Sequence, residues 1–277
     1  MRLAVSVSVS VSEHHPQMKL SNRLALITGG GRGIGRAIAL AFAQEGADIA
    51  VAARTLAQVE SVANEIADRF EVKVLPATCD VSDVRSVEQM FARVSEFFGL
   101  GADILVNNAG IAESAPITKT DDELWHRHLA INLSGSFYCT RAALPAMMER
   151  GWGRIINVAS IAGKTGAPYI AAYSASKHGL LGLTRSTALE VATKGITANA
   201  ICPGYVDTEM TTRGIENITK KTGRSAEEAM AALRKMSPQD RLVTSEEVAA
   251  LALLLASEEG GAINGQAINV DGGSVLF

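Results

Sequence analysis

Three observations predict an α/β fold built on a doubly wound parallel sheet. Strand-like and helix-like runs alternate strictly from Arg23 onward. The strand-like runs, such as RLALITG and DILVNNAG, are apolar at nearly every position, as strands covered on both faces must be. A glycine-rich turn, TGGGRGIG (Thr28 to Gly35), separates the first strand from the first helix. Alternation of this kind places helices on both faces of the sheet. No linker or composition break divides the run, so residues 18–277 read as one domain.

Residues 1–17 read as a disordered N-terminal extension. VSVSVSVS is low complexity, and Glu13-His14-His15-Pro16 stands where a signal peptide would need small residues. The first helix, RAIALAFAQEG, shows helical spacing of apolar residues and ends on Gly46. The strands DIAVAAR, KVLPATCD and DILVNNAG follow. Between them lie the helices TLAQVESVANEIADRF and SDVRSVEQMFARVSEFFG, the second with Ser82 as N-cap. Thr120 to Glu123 reads as a capping box opening one long helix around Leu124 to Arg150. RIINVAS is a buried strand leading into a helix that runs to about Thr193. TANAICPG, the helix SEEVAALALLLAS capped by Thr244 or Ser245, and a strand in INGQAINVDGG complete the alternation. The roughly 40 residues from Tyr205 to Thr244 exceed an ordinary loop and are expected to form a substrate lid of two helices. One spans Glu209 to Lys221; the other runs from the capping box at Ser225 to about Met236.

Composition excludes several classes. A chain of 277 residues with net charge −3 lacks the basic balance of a nucleic-acid-binding protein. Cys79, Cys139 and Cys202 are far apart, without C-x-x-C spacing or clustered histidines, so they read as reduced thiols packed like small apolar residues. No metal site is expected, and a cytoplasmic protein fits best. No apolar run approaches the roughly 18 residues of a membrane span.

The glycine turn opens the first strand–helix–strand unit, where a dinucleotide pyrophosphate meets helix N–H groups. The turn is thus of the Rossmann type, although its glycines lack the literal G-x-G-x-x-G spacing. Gly29, Arg32, Gly33, Ile34 and Gly35 are its candidate cofactor contacts. The second strand ends in Ala52-Ala53-Arg54, with no acidic residue before Glu60 to hold a ribose 2′-hydroxyl. Arg54 with Arg32 could instead clamp a 2′-phosphate, which favours NADP(H) over NAD(H).

Tyr173 and Lys177 are spaced by four, one turn apart on one helix face. An ammonium there favours the phenolate, so the Tyr173 pKa is expected to fall toward the range of a general acid/base. Ser160, at the mouth of the preceding strand, could hold a substrate oxygen.

With these motifs in view, the chain resembles the short-chain dehydrogenase/reductase family from about Leu20 to Gly273. TGGGRGIG resembles the family's T-G-x-x-x-G-x-G turn, and Asp80-Val81 its adenine-side element. Asn107-Asn108-Ala109-Gly110 resembles N-N-A-G, and Asn132 stands at the family's helix asparagine. Pro203, Gly204, Val206 and Thr208 fall in a segment resembling P-G-x-x-x-T, which in the family faces the nicotinamide. The resemblance implies hydride transfer between NADP(H) and a carbonyl carbon, with Tyr173 as proton donor and Ser160 bonded to the same oxygen. It also implies that Lys177 binds ribose hydroxyls and depresses the Tyr173 pKa, that Asn132 holds a water, and that the assembly is a homotetramer.

On the substrate side, Tyr169, Tyr205 and Met210 join Ser160 and Tyr173 as candidates. Tyr169 precedes Tyr173 by one turn, and Met210, Met230, Met236, Ile215 and Leu233 would give the lid an apolar face. GKTG, AAYSASKHG and ICPGYVDTEM resemble reductases of 3-oxoacyl thioesters and polyketide ketoreductases. The long lid also resembles 3-hydroxybutyrate dehydrogenases, but the apolar Ala162 and Ile170 argue against a small keto acid. Lys220, Lys221 and Arg224, or Arg150, Arg154 and Lys194, could meet CoA phosphates or an acyl carrier protein, although a run of such charges is usually only a solvated face. Oxidation of a secondary alcohol or sugar, and a non-catalytic nicotinamide-binding protein, are the competing readings.

Overall fold

The computed structural model describes residues 18–277; the N-terminal extension expected over 1–17 lies outside them. Seven parallel strands form one sheet in the order β3-β2-β1-β4-β5-β6-β7. They are β1 (Leu24–Thr28), β2 (Asp48–Ala53), β3 (Val74–Thr78), β4 (Ile104–Asn107), β5 (Gly153–Val158), β6 (Ile196–Pro203) and β7 (Ala267–Val270). Every residue of β1, β4, β5 and β6 is buried, which is why these runs are continuously apolar rather than alternating.

Helices cover both faces. On one, α1 (Gly33–Gln44), α2 (Leu56–Arg69) and α9 (Ser245–Ala256) bury Ile38, Phe42, Ile66, Val248 and Leu255 against the sheet. On the other, α3 (Val84–Phe98), α5 (Gly135–Arg150) and α6 (Ala171–Val191) bury Met90, Val94, Met147 and Val191. Between these apolar clusters and the sheet runs a buried polar chain. Asn107 Nδ2 donates to Asn157 Oδ1 at 2.8 Å, and Asn157 Nδ2 to Thr184 Oγ1 at 2.8 Å, joining β4, β5 and α6. The strand order reverses between β1 and β4, so their carboxyl ends diverge and leave a crevice.

Three local expectations are corrected. The long helix is two: α4 (Asp122–Leu129) and α5, separated by a π-helical turn, Ala130–Ser134. Such turns accommodate a side chain that regular helix would misplace, and here the turn carries buried Asn132. The cap of α4 is Asp121, which accepts from Leu124 N at 2.8 Å, because the Thr120 hydroxyl is spent on Pro116 O. The cap of α3 is Asp83, since Ser82 donates its hydroxyl to Asp80 at 2.6 Å. The capping box at Ser225 forms as expected and opens α8 (Ala226–Arg234); of the two candidate caps of α9, Thr244 is the one used, and it forms a capping box with Glu247.

The segment after β6 folds into α7 (Glu209–Thr222) and α8. Ile215, Ala229 and Leu233 pack the two helices together, with Met230 beside them. That internal packing uses most of the apolar face expected of the lid, and leaves Met210 and Met236 about half exposed. Among the described residues no helix is long and apolar enough to cross a membrane.

Candidate active site

The glycine turn is fixed by the N-N-A-G strand end. Thr28 Oγ1 accepts from the backbone N–H groups of Asn108 and Ala109, and Asn108 Nδ2 donates to the carbonyls of Thr28 and Gly29, all at 3.0–3.2 Å. This contact leaves no room for side chains. A Cβ on Gly35 would stand 2.4 Å from Gly29 O, and Gly29, at φ +63°, would press one against Asn108. Asn108 therefore builds the crevice, and Thr28, which the sequence did not single out, is the residue it builds upon.

The crevice opens as a groove of about 360 Å³. Gly29, Arg32, Gly33 and Ile34 of the glycine turn line it, with Arg54 after β2, Asp80 and Val81 after β3, Asn108, Ala109 and Gly110 after β4, and Thr208 and Met210 after β6. The N-terminus of α1 faces it without a side-chain cap, so its first N–H groups are available to an anion. A groove that combines the uncapped N–H donors of α1 with the Arg54 guanidinium fits a dinucleotide. Pro203, Gly204 and Val206, expected to contact the cofactor, stand outside this lining at the end of β6; Val206 is buried and bridges to Val243. Arg32 lines the groove, but its guanidinium is ion-paired with Glu209 at the start of α7. The two-arginine clamp is thus not preformed: Arg54 stands at the site, whereas Arg32 is engaged elsewhere.

Ser160, Tyr173 and Lys177 converge beside the inner end of β5. Ser160 is buried and accepts a hydrogen bond from Ala162 N at 3.1 Å. Burial raises the Tyr173 pKa, more than the Ser160 hydrogen bond lowers it; Tyr205 and Cys202 are close enough to raise it further. Burial also lowers Lys177, to about 8. The expected depression of Tyr173 by Lys177 is therefore not present in the cofactor-free chain. Lys177 Nζ donates instead to Val158 O at 2.8 Å and lies 5.8 Å from the Tyr173 ring centroid. Desolvation here outweighs a charge that is turned to a carbonyl.

Asn132 is fully buried, and both its amide protons are used, one on Ile111 O and one on Ser176 Oγ, each at 3.0 Å. Its Oδ1 accepts from Ile111 N at 2.9 Å. Its side chain therefore splints the segment after Gly110, and its Oδ1 and Lys177 Nζ both lie close to Gly110. Tyr169 is not a turn of helix before Tyr173, because α6 begins at Ala171. Tyr169 adopts φ +70° and lines a separate recess of about 390 Å³ with Ala115, Pro116, Ile117, Thr118, Ala167, Pro168 and Ala171. Tyr205 is partly exposed beside Tyr173.

Two of the arginines considered for carrier or CoA phosphates are structural. Arg150 bonds Asp103 and the carbonyls of Gly101 and Ala102; Arg154, only 3% exposed, donates to the carbonyls of Gly153, Gly195 and Ser257. His128 is the residue near the site that sequence reasoning missed: it is wholly buried, its ring 6.3 Å from that of Tyr173. One of two histidines on a polar helix, it carries no signal of that burial.

Residues 29–274 match the family model described as enoyl-(acyl carrier protein) reductase. The chain is 41% identical to a D-beta-hydroxybutyrate dehydrogenase of Rhizobium meliloti, covering 91% of this chain and 98% of that one. It is 39% identical to a putative ketoacyl reductase of Streptomyces coelicolor, covering 91% of this chain and 97% of that one. Among solved structures, an actinorhodin polyketide ketoreductase with NADPH superposes with a TM-score of 0.88 at 39% identity, over 92% of this chain and 98% of that one. The groove, the Ser160–Tyr173–Lys177 convergence and these likenesses agree: the chain belongs to the short-chain dehydrogenase/reductase family, oxidoreductases that act on CH–OH groups.

Proposed function

We propose that this protein reduces a ketone to a secondary alcohol with NADPH, the ketone being a 3-oxoacyl thioester or a related polyketide-type chain. The observation that carries the reading is the end of β2, where Arg54 lines the groove and no carboxylate stands to hold a ribose 2′-hydroxyl. A 2′-phosphate would meet Arg54 first. Arg32 can join it by releasing Glu209, which keeps Arg213 as partner.

When bound, the nicotinamide supplies the hydride. The α1 N-terminus and Gly33 hold the pyrophosphate, Asp80 and Val81 the adenine side, and Ala109, Gly110 and Thr208 the inner half. Pro203, Gly204 and Val206 would support the nicotinamide side from the end of β6. Because burial keeps Tyr173 protonated at neutral pH, it carries the proton that a developing alkoxide needs. Ser160 donates to the same oxygen, stabilising charge where it forms. Lys177, lowered to about 8, can exchange protons near neutrality and so replenish Tyr173, and it would also hold the ribose hydroxyls of a bound nucleotide.

Residues 205–244 act as the lid, with Met210, Tyr205 and Tyr169 toward substrate. Exposed Lys220 and Arg224 on the lid suit a CoA phosphate or an acyl carrier protein. Exposed Phe137 on α5 and Leu189 on α6 support assembly as a homotetramer.

NAD(P)-dependent oxidation of a secondary alcohol is the second reading, favoured by the likeness to the hydroxybutyrate dehydrogenase. Steady-state turnover separates the two. Acetoacetyl-CoA with NADPH should be turned over efficiently, 3-hydroxybutyrate with NAD poorly, and Tyr173→Phe should abolish both while still binding NADPH. Efficient hydroxybutyrate oxidation with no thioester reduction would replace the first reading by the second.

A further inference from the structure

We propose that His128, in its neutral form only, is a positioning residue that pins the Glu113–Ala115 loop and so shapes the apolar recess beside the site for a bulky ketone. The substrate half of this inference rests on the ketone-reductase reading above; the loop anchor does not.

His128 lies on α4 and is 0% exposed. Its Nδ1 stands 2.8 Å from Leu124 O, and a carbonyl can only accept, so Nδ1 carries the proton. Its Nε2 stands 3.1 Å from the backbone N of Glu113, which can only donate, so Nε2 must accept. The neutral Nδ1–H tautomer satisfies both neighbours, and the imidazolium cannot. Protonation would set N–H against N–H and cut the tie to Glu113.

Two residues along, Ala115 N donates to Tyr169 O at 2.8 Å, from a tyrosine held at φ +70°. The loop is thus fastened at Glu113 to α4 and at Ala115 to the segment entering α6. Between these fastenings and Ala171 lies the recess, walled by Ala115, Pro116 and Ile117 on one side and Ala167, Pro168 and Tyr169 on the other. The recess reaches Ala171 in the first turn of α6, the turn that carries Tyr173, and we place there the apolar body of a ketone whose oxygen meets Tyr173. The titratable group facing His128 is Tyr173 from α6, its ring 6.3 Å away; Glu113 meets His128 through its backbone N–H and turns its carboxylate to Arg127, which neighbours His128 in sequence. Arg127 pairs with Glu113 at 2.7 Å, but this pair is solvent-exposed and holds the loop weakly once the imidazole tie is lost.

The test compares wild type with His128→Gln, whose amide can accept and donate without titrating, and His128→Leu, which fills the space without bonds. With NADPH and 2-tetralone as the probe ketone, the wild-type KM should rise about tenfold as pH falls. The Gln variant should show a low, flat KM and the Leu variant a high, flat one, while KM for NADPH is unchanged in both. A Leu variant within twofold of wild type, or a Gln variant that keeps the wild-type pH profile, overturns the proposal. Amide exchange at Glu113 and Ala115, measured without substrate or cofactor, should be faster in the Leu variant at the same pH. Unchanged exchange there sinks the loop anchor itself. Faster exchange without any ketone turnover would sink the reductase reading and leave the anchor.

Discussion

At the scale of single residues, the site is governed by desolvation. Tyr173 and Lys177 are one helical turn apart, and their spacing alone suggests that the ammonium lowers the phenol. Packed against β5 and β6, both groups move toward their neutral forms, Tyr173 upward and Lys177 down to about 8. The Lys177 shift has a measurable linkage in the cofactor-free protein. Between about pH 8 and the ordinary lysine value near 10.5, the unfolded chain binds a proton that the folded chain has released. Stability therefore rises with pH across that window, and the cost of burying the ammonium is fully present below it. Relative to Lys177→Met, wild type should gain at most about 3 kcal/mol between pH 8 and 10.5 in urea unfolding. A difference that stays flat over this window would mean that Lys177 is solvated. The spacing of Tyr173 and Lys177 was legible in the sequence; the desolvation was not, because it depends on side chains from β5, β6 and the Ser160 turn.

At the scale of elements, the placement of α6 against the sheet depends on the buried Asn107–Asn157–Thr184 chain. Replacing Asn157 by Val leaves the Asn107 amide and the Thr184 hydroxyl each short of a partner within the interior. The expected loss is about 1–3 kcal/mol in urea unfolding, with the larger figure if no water enters. A variant as stable as wild type would show that the chain is dispensable. Element boundaries were legible where signals are local: the capping box at Ser225, glycine at the ends of helices, continuous apolar strands. They failed where a side chain had a nearer partner. Thr120 and Ser82 look like caps, but each spends its hydroxyl elsewhere, and the adjacent Asp121 and Asp83 cap instead. The break in the long helix at Ala130–Ser134 follows from Asn132 splinting Ile111, a contact across 21 positions that no local pattern records.

At the scale of the whole molecule, the parallel strands bring the functional loops together at their carboxyl ends. The loops after β1, β2, β3, β4, β5 and β6 supply the glycine turn, Arg54, Asp80, Ala109 and Gly110, Ser160, and Thr208 respectively. Reading the alternation of elements therefore located the groove, and the motifs told its two ends apart. What the linear pattern could not show is the traffic between loops, such as Glu209 reaching back from α7 to occupy Arg32. That pairing leaves cofactor choice to Arg54 and makes it the point at which the account can fail. The deciding measurement is kcat/KM for NADPH and NADH side by side, in wild type and in Arg54→Asp. The account predicts that wild type prefers NADPH by about a hundredfold or more, and that Arg54→Asp abolishes or reverses the preference by removing a charge-assisted pair with the 2′-phosphate and adding a repulsive carboxylate. A wild type that prefers NADH, or a preference untouched by Arg54→Asp, would contradict it.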